Sequence, residues 1–213
     1  IEVGCYPEIH PQADDAAAVA LVGRVIIIGR DRARTPEALV WAVPAEASVR
    51  RLGEERGLFG ATLAQHKATV HLDHGEHAQA LAEITTALEI REELLGPNHP
   101  TVATALDVLG GVHRARGALD ASLAAQTRAL AIRREALGAD HPEIGVSANN
   151  LGLLEQRRGN FDAAQTLFEE AVAVAEQAFG PEHPAVATAL NNLGRLHHLR
   201  GDYDKAQARL ERA

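Results

Sequence analysis

Apolar and polar positions along most of the chain recur with the spacing of helices, not strands. After Pro100, the small or apolar residues Ala103, Leu106, Leu109 and Gly110, then His113, fall on one side of a 3.6-residue helix. A second stripe follows through Leu119, Ser122, Ala129, Leu130 and Ile132 and stops at Gly138. These stripes predict helices over 100–116 and 118–137. The same pattern 42 residues further on predicts 142–158 and 160–179, and a third round predicts 184–200. The breaks recur as well: "GPNHP" at 96–100, "GADHP" at 138–142 and "GPEHP" at 180–184. Pro suits the first helical turn, where its missing N–H would be unpaired anyway. Gly suits the left-handed conformation common just past a helix end, and the polar pair plus His spans the gap.

Other columns keep the 42-residue phase. Gly75, Gly117, Gly159 and Gly201 form one, and Leu109-Gly110, Leu151-Gly152 and Leu193-Gly194 another. Ala87, Ala129, Ala171 and Ala213 form a third; Ala80, Ser122, Ala164 and Ala206 form a fourth, all small. Each unit therefore reads as helix, short turn, longer helix, loop. Gly110 and its equivalents let a neighbouring helix approach closely. Phe168 and Leu210 share a column in which Gln126 is a polar departure. One such hairpin cannot bury its own apolar stripe, so successive hairpins must stack.

The recurrence of Leu-Gly, Gly, Ala, an aromatic or aliphatic residue and Ala resembles the tetratricopeptide repeat. The stretches "HPEIGVSANNLGLLEQRRGNFDAAQTLFEEAVAVAEQAFG" and "HPAVATALNNLGRLHHLRGDYDKAQARLERA" are similar to its 42-residue kinesin-light-chain subtype. The resemblance covers 57–213, with repeats about 57–98, 99–140, 141–182 and 183–213. It implies an all-α fold, a right-handed α-solenoid of stacked hairpins whose first helices line a concave groove. Residues 1–56 read as a degenerate N-terminal repeat or a helical linker. They have an extended lead-in at 1–9, a helix near 14–28, a turn at 30–35, and a helix from Pro36 toward Arg56 that Pro44 should kink or interrupt. At the other end, Leu210 and the Leu193 and Leu196 stripe are expected to present an apolar flank, covered by self-association or by further helix.

Charge and composition narrow the function. Lys plus Arg number 21 against 29 Asp plus Glu, a net charge of −8, which offers no basic footprint for nucleic acid or an anionic membrane. The apolar run "VIIIG" at 25–29 is far short of the roughly 20 residues that span a bilayer. A single cysteine, Cys5, fits a reducing compartment, and the expected location is cytoplasmic. The chain opens on Ile1 and lacks methionine, as expected of a fragment of something longer.

No catalytic constellation is legible. Ser48, Ser122 and Ser147 lack a G-x-S-x-G setting, and no G-x-x-x-x-G-K-[ST] loop occurs. "HLDHGEH" gathers His71, Asp73, His74 and His77, but Gly75 occupies the turn column and sends His77 to the next helix. No tetrahedral ligand set follows, so neither a metal nor a cofactor is expected. A metal-dependent enzyme on this cluster is the least favoured of three readings.

The favoured reading is a protein-interaction scaffold. The alternative is a regulatory or sensor segment of a larger bacterial signalling protein, a kinase or ATPase. By the resemblance, a peptide or partner domain would meet Asn149, Asn150, Gln156, Arg157, Asn191, Asn192, Arg195 and His198. Side-chain amides offer a donor and an acceptor to peptide backbone, and arginine recognises carboxylates with two prongs. A purely structural role, fixing the stacking of repeats, is open for Asn150 and Asn192. Asp107 stands at the equivalent position one repeat earlier, and Gln65 two repeats earlier.

Overall fold

A computed structural model describes residues 13–29 and 35–213. Ten helices occur among the described residues: α1 Ala13–Gly29, α2 Thr35–Arg51, α3 Leu58–Asp73, α4 His77–Leu95, α5 Pro100–Ala115, α6 Leu119–Leu137, α7 Pro142–Arg158, α8 Phe161–Phe179, α9 Pro184–Arg200 and α10 Tyr203–Arg212. The fold is all-α, and the five helices expected from α5 onward agree with the structure to within a residue or so. The extended lead-in and most of the turn at 30–35 lie outside the described residues. The chain divides into two compact units, residues 1–94 and 95–213.

In the second unit, α5–α6, α7–α8 and α9–α10 are hairpins, with α6 packed on α7 and α8 on α9. Alanines and aliphatic residues set these contacts: Ala171, Val172 and Ala175 of α8 cluster with Val186, Ala189 and Leu190 of α9. The loop histidines do more than fill gaps. His99, His141 and His183 are extended, and each Nδ1 accepts the backbone N–H two residues on, at 3.3, 3.3 and 3.2 Å. Each closes a helix start as an Asn or Ser cap would, with Pro at the first helical position. Gly159 in the hairpin turn is left-handed (φ 82°, ψ 6°). Gly138 shares the positive φ but has ψ 160°, so the chain leaves α6 extended instead of curling back.

Leu193 and Leu196 do not form an exposed flank. They are 2% and 0% exposed and pack with Ala164 and Phe168, because their stripe faces back toward α8. Leu210 alone keeps the expected exposure, at 47%.

In the first unit, α1 and α2 pair and both pack on α3. Val22 and Val25, Ala42, Ala45 and Val49, and Leu63 form the shared core. The Arg24 guanidinium lies 4.2 Å from the Trp41 ring centroid, a cation–π contact. Helix α2 runs through Pro44 without interruption. The carbonyl deprived of its donor is that of Val40, a largely exposed residue, so water can take the missing bond.

Candidate functional site

The residues expected to meet a partner lie on α7 and α9, neighbouring first helices of successive hairpins. The Asn192 side chain donates to Asn149 Oδ1 at 2.8 Å, a diagonal bond between helices. Arg195 Nη2 reaches Gln156 Oε1 at 3.4 Å. Asn150, Arg157, Asn191, Arg195 and His198 are exposed, whereas Asn149, Gln156 and Asn192 are half-buried. The His198 ring meets Tyr203 edge-on, with centroids 5.4 Å apart.

The face is thus divided. Asn149 and Asn192 hold α7 to α9, while Asn150 and Asn191 present exposed amides beside them that have no hydrogen-bond partner among the described residues. Neither Arg157 nor Arg195 meets a carboxylate among the described residues, nor does Arg114 on α5. The arginines at the hairpin seams differ. Arg158 pairs with Asp120 at 2.5 Å and Arg200 with Asp162 at 2.7 Å, one repeat length further along.

Sequence reasoning missed a residue that shapes this face. Arg133 of α6 is buried, and it donates to Asp107 at 2.5 Å, to Glu143 at 3.1 Å and to Ser147 at 3.1 Å. Burial works against its charge, but the hydrogen bonds and charges of Asp107 and Glu143 outweigh that and raise its pKa. Its equivalent 42 residues earlier, Arg91, donates to Gln65. Gln65 and Asp107 belong to the same column as Asn149 and Asn191, so each is tethered from behind by an arginine. The third member of the arginine column is Ala175, which cannot do this, and there Asn149 turns to Asn192 instead. The signal was present in the repeat alignment: an arginine twice in one column whose other members, Val49 and Ala175, are small and apolar.

His71 and His74 of the histidine cluster converge on one carboxylate. His71 Nδ1 lies 2.5 Å from Glu76 Oε2, and His74 is 3.6 Å from the same carboxylate. The hydrogen bond from His71 holds Glu76 below the usual carboxylate range. Among the described residues no three His, Cys, Asp or Glu side chains are placed to share a metal ion.

A family model for the tetratricopeptide repeat matches residues 60–135, 109–177 and 143–213. The chain belongs to the tetratricopeptide repeat family. Solved structures agree in fold. The nearly identical TPR-like repeats of a kinesin light chain from Podosopora anserina share 20% identity, cover 92% of this chain and 93% of that one, and superpose with a TM-score of 0.79. BtubC (BKLC) from P. vanneervenii shares 20% identity over 95% of this chain and 90% of that one, with a TM-score of 0.71. Aspartyl phosphate phosphatase F from Bacillus subtilis shares 15% identity over 93% of this chain but 50% of that one, with a TM-score of 0.75. No curated protein matches the sequence. In tetratricopeptide terms, α7 and α9 are the first helices of successive repeats. No helix among the described residues is long and apolar enough to cross a membrane.

Proposed function

We propose that this chain is a non-catalytic protein-interaction module and that the face shared by α7 and α9 binds an extended, carboxylate-bearing segment of a protein partner. One observation carries the reading. In a chain of net charge −8, Arg157 and Arg195 stand exposed without carboxylate partners among the described residues, beside the exposed amides of Asn150 and Asn191. An extended segment leaves backbone N–H and C=O groups unpaired, which amides satisfy, and arginine forks fit its carboxylates. The setting we propose is cytoplasmic, and the module serves in a scaffold or as the regulatory segment of a larger signalling protein.

Selection from a random peptide display library, followed by calorimetry on the selected peptides, tests this. Peptides rich in Asp and Glu are expected. The triple variant Arg157→Ala, Asn191→Ala, Arg195→Ala should bind them at least about tenfold more weakly, a loss of about 1.4 kcal/mol, with its melting temperature unchanged. Peptides without acidic enrichment, or a variant that binds as tightly as wild type, would overturn it.

A second contact is proposed at α10. Leu210 is 47% exposed, although its equivalent Phe168 is fully buried beneath the following hairpin. Self-association through this edge would cover it. Sedimentation of Leu210→Glu against wild type decides: dimer lost in the variant supports it, and wild-type monomer at all concentrations rejects it.

A further inference from the structure

Lys67 occupies a position that the rest of the array gives to leucine. It aligns with Leu109, Leu151 and Leu193, the leucines of the Leu-Gly column. Its ammonium, with a side chain only 17% exposed, sits between two carboxylates: Glu46 of α2 at 2.5 Å and Glu83 of α4. Two repeat lengths further along, the residues equivalent to Glu46, Lys67 and Glu83 are Leu130, Leu151 and Leu167. Those leucines gather with Ile144 and Val174 in an apolar cluster between successive hairpins, Leu167 at its partly buried edge. The first unit therefore places an ion triad in the same seam, beside the apolar contacts of Val49 and Leu63, and the triad lines a cleft that also reaches Thr86.

The geometry also bears on α1 and α2. Glu46 stands to Lys67 as Leu130 stands to Leu151, so α2 takes the place toward α3 that α6 takes toward α7. We propose that α1–α2 is a full hairpin of the array and that the Glu46–Lys67–Glu83 triad makes its seam with α3–α4 a weak, salt-sensitive joint at which the hairpin can detach.

The physics is that of an ion group traded for apolar packing. Partly desolvated ion pairs return little over the cost of taking their charges from water, whereas apolar residues of similar volume often stabilise the same place. Burial opposes the Lys67 charge, and only the hydrogen bonds and charges of both glutamates raise its pKa above the ordinary value. A joint held this way weakens as salt screens it, while a leucine seam does not. Local opening of such an element precedes global unfolding and is visible in amide exchange.

Hydrogen exchange read by mass spectrometry on the full chain tests the joint. Wild-type amides of α2 should exchange at least about threefold faster at 1 M than at 0.05 M sodium chloride, while those of α8 stay constant, because the screening length shrinks to about 3 Å. The variant Glu46→Leu, Lys67→Leu, Glu83→Leu restores the residues of the later seam. It should slow α2 exchange at least about tenfold, equivalent to about 1.4 kcal/mol, and abolish the salt effect. Wild-type α2 exchange that is insensitive to salt would overturn the proposal even if the variant failed to fold. Exchange in the folded variant as fast as in wild type would overturn it too.

Discussion

The ring of Phe168 lies directly over Gly152: a Cβ built on that glycine would come within 2.6 Å of Phe168 Cε1. Phe168 is fully buried there, and its column-mates obey the same rule. Leu210 lies over Gly194, and the stem of Gln126 lies over Gly110. Where the column has Ala68 in place of glycine, the residue across the hairpin is the slimmer Ile84. The hairpin is closed by matching one missing methyl to one large side chain.

Gly152→Ala should therefore destabilise the second unit by about 1–3 kcal/mol, since neither the ring nor the backbone can move aside freely. Thermal melting monitored by circular dichroism measures it. Adding Phe168→Ile, which reproduces the Ala68 and Ile84 pair, should recover part of the loss. Equal melting for wild type and Gly152→Ala would show that the seat is loose.

Gln126 is the exception in its column and has a buried Oε1 with no hydrogen-bond partner among the described residues. A buried acceptor left unsatisfied costs about 1–3 kcal/mol. Gln126→Leu, which copies the residue at 210, should stabilise the protein by about 1 kcal/mol. The readout is a higher denaturant midpoint at unchanged slope. A lower midpoint would mean that the amide is satisfied in solution.

The helices were legible because their punctuation is chemical: Pro and Gly act through local backbone geometry, which needs no tertiary information. The site was legible only in outline. Repeat columns align Asn149 with Asn191, but it is Asn192 that donates to Asn149, because neighbouring helices meet diagonally and column alignment carries no crossing geometry. Arg133 was overlooked for a related reason. A long charged side chain on an amphipathic helix reads as solvated, and its burial follows from Asp107 and Glu143 converging from two other helices. The flank assigned to Leu193 and Leu196 failed because both faces of an inner repeat are apolar, and the stripe alone does not say which hairpin it faces.

The diagonal bond separates structural from binding amides. Asn192→Ala should cost about 0.5–1.5 kcal/mol, the usual net worth of such a hydrogen bond. Asn191→Ala, on an exposed residue, should change stability by less than about 0.5 kcal/mol. Chemical denaturation of the two single variants checks this. If Asn191→Ala were the more destabilising, the division of roles across the face would be reversed.

One column stands near the end of each first helix: His71, His113, Glu155 and His197. Three of them face a side chain five residues on. His71 meets Glu76, Glu155 accepts from Asn160 at 2.7 Å, and His197 Nδ1 lies 3.7 Å from Asp202. The partner position of His113 is Ala118, and His113 Nδ1 is buried without a hydrogen bond to any of the described residues. Burial, with the Arg116 charge adding to it, pushes the His113 pKa below the ordinary 6.5. Folding then disfavours its protonation, so its contribution to stability is present at neutral pH and is lost as pH falls through the ordinary histidine range, levelling off below the folded-state value. Ala118→Asp places a carboxylate where Asp202 stands toward His197. It should reverse the sign by raising the His113 pKa, so that this residue's contribution grows as pH falls toward 5. Denaturation of both proteins from pH 8 to pH 5 should show the variant gaining on wild type steadily as pH drops. Parallel stability curves across that range would mean that His113 keeps contact with water and that the empty partner position has no consequence.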